Sequence, residues 1–495
     1  MTTDLVRIRL EPLSVEFEVP RGAPLLSSLA AHGIEFPCGG EGICGGCGVR
    51  LLAGSLSITV SDRELFSPMQ LHDGWRLACH ACAGSPLVLE CGQWRMDILS
   101  DASNLATAGK SGLGIAIDLG TTTIAAQMID LASGNVLAVE ALLNAQAAFG
   151  SDVMSRIRAA LDGADLTGVI RTALRQVIVN LAAGREQEVA EVLLVGNTVM
   201  HHLFCGHDVE PLSHVPFASP HLGEHRFHAH ELDWPLAEQC AIRFAPCIGG
   251  FVGADILAGI IAIGMSHSDD LVALIDLGTN GEIAIGNRNG IVCASTAAGP
   301  AFEAGSIRMG MRAATGAVSH VSLVDSALNA TVIGDVPPRG ICGSGLVDAV
   351  AAGLRTTAIL PSGRIANGTK LFPIADPVVL YQSDVRELQL AKGAIAAGFK
   401  LLLKHRGTSV NKVKKVYLAG AFGNYVQIDS AIAIGLLTAP KELLFAAGNT
   451  ALRGAKMLLL QTKDPILPHI DHLSLAADPS FQDEFADCMA FPHPA

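Results

Sequence analysis

Gly114-Ile115-Ala116-Ile117-Asp118-Leu119-Gly120-Thr121-Thr122-Thr123 returns about 160 residues later as Ala273-Leu274-Ile275-Asp276-Leu277-Gly278-Thr279-Asn280-Gly281. Each copy is an apolar run of strand length that ends in an aspartate, followed by a Gly-Thr turn and a return strand. One DLGT string is weak evidence; a pair, each preceded by the same kind of strand, reads as the internal duplication of one strand-turn-strand unit. From Leu113 onward strands alternate with helical patterns. The spacing of Leu388, Ala391, Ile395, Phe399, Leu402 and Leu403 predicts a helix over Val385–His405 whose apolar face is core. The expected architecture is a two-lobed, duplicated α/β fold, with lobe I over residues 113–265, lobe II over 266–475 and a C-terminal tail over 476–495.

The paired turns have a chemistry. Two such hairpins facing each other across a cleft can grip a triphosphate, with turn N–H groups and hydroxyls on the phosphate oxygens and the carboxylates on Mg²⁺, mostly through water. Asp118 and Asp276 are the expected metal partners. Gly120, Thr121, Thr122, Thr123, Gly278, Thr279 and Asn280 are the expected phosphate contacts. No G-x-x-x-x-G-K-[ST] stretch occurs, so this is not a Walker A site.

A different chemistry precedes these loops. Cys38, Cys44 and Cys47 lie in PCGGEGICGGC, and Cys79 follows in RLAC. Three thiolates from one Gly-rich loop and a fourth from elsewhere suit a [2Fe–2S] cluster, because the glycines let backbone N–H groups approach the sulfides. The spacing C-x5-C-x2-C is one residue longer than the plant type and resembles the adrenodoxin and putidaredoxin branch of the ferredoxins. Cys82 and Cys91 compete for the fourth place, and the resemblance of RLAC to that branch's RLxC favours Cys79. Alternating Val6–Leu10 and Ser14–Val19, a helical Pro24–Ala31 and an apolar Leu87–Cys91 predict a β-grasp domain over residues 1–95. A small-residue, polar stretch over 96–112 reads as a flexible linker.

Composition excludes several classes. A net charge of −13 argues against nucleic acid, which needs a basic footprint. The most apolar stretch, Ile248–Met265, carries Asp255 and several glycines, so no membrane span is expected. The N-terminus has no apolar export segment, and twelve cysteines then read as reduced thiols and metal ligands, hence a cytoplasmic location. Cys205, Cys240, Cys247, Cys293 and Cys342 read as small core residues. The histidines at 201, 202, 207, 214, 221, 225, 228 and 230 match no tight ligand spacing and read as a solvated or partner-facing loop in preference to a metal site.

DLGTTT, VGNTVMHHLF at 195–204, DLGTNGE and LAGAFGNY at 418–425 resemble, in order, the phosphate-1, connect-1, phosphate-2 and adenosine segments of the acetate kinase, sugar kinase, Hsp70 and actin superfamily. The resemblance brings Asn197 and Thr198 near the nucleotide, where they orient phosphate or water; a polar helix cap after strand Val192–Val195 is the equal alternative. Gly420, Gly423 and Asn424 allow close approach to adenine and ribose, unless they form a plain strand-to-helix turn. Gly343, Ser344 and Gly345 open a helix and offer further N–H donors. With the [2Fe–2S] segment in front, and with GGFVGAD at 249–255, AGPAFEAGSIRMGMRAATGAV at 298–318 and GICGSGLVDAV at 340–350, the chain resembles the reductive activators of corrinoid-dependent enzymes. It departs from them in a shorter segment between ferredoxin and ATPase, and in Arg308, which stands where they carry a small or sulfur-bearing residue.

The resemblance implies a [2Fe–2S] cluster, ATP and Mg²⁺, a corrinoid protein or methyltransferase as partner, a separate electron donor, and a homodimer. The implied reaction is one-electron reduction of cob(II)alamin to cob(I)alamin. A plant-type centre sits near about −400 mV, so an acceptor ~150 mV lower makes the transfer uphill by about 3.5 kcal/mol, a deficit that nucleotide-driven closure can offset. Two other readings are a redox-sensing small-molecule kinase and an electron carrier with a non-catalytic ATPase scaffold. Neither has an obvious base for a substrate hydroxyl or a reason to keep both aspartates.

Overall fold

The computed structural model describes residues 4–11, 15–30, 32, 34, 36, 40–42, 47–66, 68–91, 101, 105, 107, 109–150, 152–278, 280–314, 316–325, 327–366, 368, 370–463 and 465–493. Two compact units emerge. The first comprises residues 1–97, 145–156 and 300–387, the second 98–144, 157–299 and 388–495.

In the first unit, a five-stranded sheet runs in the order Val15–Pro20, Leu5–Glu11, Leu87–Cys91, Gly48–Ala53, Trp75–Leu77. Leu5–Glu11 and Leu87–Cys91 are parallel while the other pairs are antiparallel. Alternation puts Val6, Ile8 and Leu10 on one face, where they pack with Leu25 and Leu29 of the helix Leu25–Ala30. This mixed sheet with one covering helix is a β-grasp. The later part of the unit holds a three-stranded sheet, a two-stranded hairpin and the helix Gly343–Arg355. Arg339 pairs with Glu90 of the β-grasp sheet. Arg308 lays its guanidinium over the Tyr381 ring, 4.6 Å from the centroid, which accounts for a long cation at that position.

The second unit carries the duplication. Its first half runs β1 (Leu113–Leu119), β2 (Thr123–Asp130), β3 (Val136–Leu143), α1 (Leu166–Ala182), β4 (Val189–Gly196), α2 (Thr198–Cys205), β5 (Ala241–Phe244) and α3 (Ala254–Ala262). The second half repeats it as β6 (Val272–Leu277), β7 (Gly281–Asn287), β8 (Gly290–Thr296), α4 (Gln382–His405), β9 (Lys415–Ala419), α5 (Gly420–Tyr425), β10 (Leu444–Gly448) and α6 (Thr450–Leu460). The sheets order as β5-β4-β1-β2-β3 and β10-β9-β6-β7-β8, each with one added edge strand. β1 and β6 are buried along nearly their whole length, as expected of central strands covered on both faces. Helices α3 and α6, which end the two halves, pack so closely that a Cβ on Gly454 would stand 2.0 Å from the Ala258 carbonyl oxygen.

The segment before β1 is strapped to this unit. Asp101 meets the fully buried Lys456 at 2.5 Å and accepts at its carbonyl from Gln127, while Lys110 bonds Glu191 at 2.6 Å and the Leu459 carbonyl at 2.7 Å. At the other end, residues 481–489 form a helix, and Lys392 of α4 donates to the Ala490 carbonyl. No helix among the described residues is long and apolar enough to cross a membrane.

Candidate functional site

Register fixes where the aspartates stand. Asp118 lies opposite Val195 at the carboxyl end of β1, and Asp276 lies opposite Ala419 at the corresponding end of β6. Ligands of α/β sheets bind at such strand ends, where connections diverge and leave a crevice. After Asp118 the chain turns tightly: Gly120 donates to the Thr123 carbonyl at 3.0 Å, and a Cβ on Gly120 would lie 2.6 Å from that same oxygen. Only glycine fits there. Asn144 braces the turn, donating to the Gly120 carbonyl at 2.9 Å. After Asp276, Gly278 donates to the Asn280 carbonyl at 3.1 Å; Thr279 lies outside the described residues.

Asn197 is the helix cap and also reaches the first Gly-Thr turn. Its Oδ1 accepts from Met200 N–H as the N-cap of α2, and its Nδ2 donates to the Thr121 hydroxyl at 2.8 Å. The cap therefore positions the Gly120–Thr123 turn. Thr198 is fully buried and donates to the Gly249 carbonyl at 2.6 Å, so its hydroxyl holds the GGFVGAD loop. Gly253 in that loop sits where a Cβ would be 2.2 Å from the Gly196 oxygen, which brings the start of α3 against the start of α2.

That approach introduces a residue to which sequence reading gave no role. Asp255, in the first turn of α3, joins Asp118 and Asp276, and Glu282, which pairs with Asp276 across β6 and β7, completes a buried acidic cluster. Burial first, and the neighbouring negative charges second, hold these carboxyls above their ordinary range: Asp276 at about 7 and Asp255 and Glu282 also upward. Asp118 is raised to about 6 by burial, opposed by the hydrogen bond that Asn449 donates to it at 3.0 Å. Asn449 is also the N-cap of α6. A sequence signal for it exists: Gly448-Asn449-Thr450 repeats the Gly196-Asn197-Thr198 string, and both asparagines cap a helix after a strand. A set of mutually repelling, buried oxygens beside a turn rich in N–H and hydroxyl donors fits a divalent cation bound with polyphosphate.

Gly420, with φ of +79°, closes the site from the other side, its Cβ position lying 2.5 Å from Asp276 Oδ1. Any side chain there would displace the carboxylate. Gly423 packs under Leu418, and Asn424 is half-exposed on the short helix α5. Gly343, Ser344 and Gly345 do open a helix, and packing accounts for them. Cβ atoms would lie 1.7 Å from the Phe302 oxygen and 2.2 Å from the Val318 oxygen, and Ser344 donates to the Ser319 carbonyl.

In the β-grasp sheet, Cys38 and Cys44 lie outside the described residues. Cys47 and Cys79 are brought together, since Ala78 N–H donates to the Cys47 carbonyl at 3.1 Å. A Cβ on Gly40, at φ of +93°, would strike Leu26 and lie 3.9 Å from Cys79 Cβ; one on Gly42 would meet the His80 ring at 2.4 Å. Gly40 thus lies close against Cys79, as a cluster cradle requires. Cys82 is exposed, and burial pushes the Cys91 thiol on its strand up to about 12.

The fold and the two donor sets define an iron–sulfur protein fused to an ATPase of the actin-like kind. Three family descriptions tile the chain in order: the 2Fe-2S iron-sulfur cluster binding domain over residues 8–84, the RACo middle region over 113–268, and the C-terminal domain of RACo, the ASKHA domain, over 270–495. The corrinoid activation enzyme RamQ of Eubacterium limosum is 33% identical over 411 residues, covering 75% of this chain and 69% of RamQ. The [Co(II) methylated amine-specific corrinoid protein] reductase of Methanosarcina barkeri is 26% identical, covering 75% of both chains. The solved structure of a reductive activator for a corrinoid, iron-sulfur protein matches with a TM-score of 0.67 at 26% identity, over 99% of this chain and 98% of that one. The chain belongs to the family of corrinoid activation enzymes.

Proposed function

We propose that the protein returns a corrinoid protein to activity by ATP-dependent, one-electron reduction of cob(II)alamin to cob(I)alamin. The observation that carries this reading is the buried set Asp118, Asp255 and Asp276 at the ends of duplicated strands, in a chain that also builds a cluster cradle around Cys47 and Cys79. Cys38, Cys44, Cys47 and Cys79 hold the cluster, which supplies a one-electron store. Asp118 and Asp276, with Asp255, hold Mg²⁺; Thr121, Thr122, Asn280 and the turn N–H groups hold the phosphates. Asn197 positions Thr121, and Gly420, Gly423 and Asn424 line the adenosine side. A separate reductase or ferredoxin supplies the electron, and the active form is a homodimer in the cytoplasm.

The test is direct. Reduced protein mixed with a partner carrying cob(II)alamin should give cob(I)alamin in amounts that rise with Mg-ATP, and the partner should stimulate ATP hydrolysis. A kinase would phosphorylate a small molecule, and a scaffold would ignore nucleotide. Nucleotide-independent reduction at the full rate would sink the coupling. For the ligand set, Cys79→Ser should lose the visible cluster spectrum and Cys82→Ser should keep it; the reverse result moves the fourth ligand.

A further inference from the structure

The histidines between 201 and 230 do not form one solvated loop. His201 and His202 are fully buried on α2, His207 and His225 are half-buried, and His214, His221, His228 and His230 are exposed. Helical geometry explains the first group: residues 201 and 205 are one turn apart on the same face of α2, so His201 and Cys205 point the same way. The helix then stops at Gly206 in the left-handed region, with φ of +75°, and both Gly206 and His207 donate to the His202 carbonyl. That reversal brings His207 back over the face carrying His201 and Cys205. Among the described residues, these three form a group in which one imidazole nitrogen of each histidine and the thiol sulfur lie within 4.8 Å of one another.

Their neighbours show which histidine is structural. His202 has both ring nitrogens engaged, one on the Thr198 carbonyl at 2.7 Å and one on the Ser219 hydroxyl at 2.6 Å. His201 is just as buried; its Nδ1 lies 3.5 Å from the Nδ1 of His202, and its Nε2 has near it only the Gly223 backbone, outside good hydrogen-bond geometry. An imidazole nitrogen sealed from water and left without a firm partner is costly unless something else binds it.

The geometry points to a zinc-class site, in which His201, Cys205 and His207 bind one divalent, borderline-soft ion and water fills the fourth position. Two imidazoles and a thiolate are a donor set zinc takes readily, with Zn–N near about 2.0 Å and Zn–S near about 2.3 Å. Donors around a tetrahedral zinc stand roughly 3.3–3.8 Å apart on those bond lengths. The three ligand atoms, now within 4.8 Å of one another, would close to that spacing around the ion, with the half-buried His207 the most exposed of the three to turn inward. The ion would pin the end of α2, the helix whose first cap holds Thr121, so the site would steady the first phosphate turn from behind.

The test uses the full-length protein with its iron–sulfur cluster in place. After incubation with zinc chloride and desalting, metal analysis should find about one zinc per chain. X-ray absorption at the zinc edge should show one sulfur and two or three nitrogen or oxygen neighbours. His207→Ala, at a half-buried position that folding tolerates, should lose the zinc while iron content stays unchanged, and Cys205→Ser should lose the sulfur neighbour. His230→Ala, outside the group, should retain both. A zinc spectrum with four sulfurs would place the ion in the ferredoxin cysteines and overturn the assignment. So would one with nitrogen and oxygen only, or zinc retained by His207→Ala, or no zinc in the wild type.

Discussion

In the first half of the duplicated fold, strand pairing sets Asp118 opposite Ala125; in the second, the same pairing sets Asp276 opposite Glu282. The scaffold is repeated, each half keeping one aspartate and one Gly-Thr turn, and the surroundings of the two aspartates differ. The first half offers donors to an anion: a four-residue turn with Thr121 and Thr122, steadied by Asn197 and Asn144. The second half offers acceptors: Asp276, Glu282 and, leaning in from the end of the first half, Asp255. An ion and the anion it accompanies need opposite surroundings, and a duplicated fold can weight its two copies toward one or the other.

The largest effect should come from the carboxylate-rich side. Asp276→Asn is expected to lower ATP hydrolysis by about 10²–10³-fold, the loss typical of removing one group that stabilises developing charge. Asp118→Asn, at the carboxylate that already accepts a hydrogen bond from Asn449, should cost less. Steady-state hydrolysis with the iron content checked would compare them, and a larger loss in Asp118→Asn would reverse the assignment of roles. Next in size is Gly454→Ala, which forces a methyl onto the Ala258 carbonyl and should destabilise by about 1–3 kcal/mol in a denaturant melt. An unchanged midpoint would mean that the two terminal helices part easily.

A pH series sharpens the comparison further. Asp118 and Asp276 hold protons in the folded chain up to about 6 and about 7, whereas the unfolded chain releases them near ~3.9. The folded state therefore binds more protons across that window, and stability without Mg²⁺ should fall as pH rises from about 4 to 7. Added Mg²⁺ should oppose the fall, and Asp255→Asn should flatten it. A melting temperature that rises over this range without Mg²⁺ would contradict the buried cluster. The smallest effect belongs to Asn197→Ala: loss of a cap costs about 1 kcal/mol, with a modest rise in the KM for ATP as Thr121 loosens.

These contrasts show what a chain of letters can carry. The two DLGT strands were legible because a strand and its turn are local, and so was the helix over 385–405, whose buried residues repeat every third or fourth position. Asp255 and Glu282 were in view within GGFVGAD and DLGTNGE, but their meeting depends on Gly253 pressing against Gly196 and on a strand register, neither of which spacing reveals. Asn449 could have been found from the second Gly-Asn-Thr string. The first compact unit was the least legible, because residues 145–156 and 300–387 join the first 97 in space while standing far from them in sequence. The histidines were legible in part: His214, His221, His228 and His230 are exposed, whereas the meeting of 201, 205 and 207 depends on a helix and a glycine reversal that linear spacing does not show.

Helix α6 has one further property. Its first cap, Asn449, is bonded to the aspartate of the first phosphate turn, while Lys456 and the Leu459 carbonyl near its last turn are bonded to the strap that leads back to the iron–sulfur domain. Eleven residues of helix make a rod of about 16 Å, too stiff to absorb motion at one end without passing it to the other. One short helix thus ties Asp118 at its first cap to the segment before β1 at its last turn, and what disturbs either end is carried to the other.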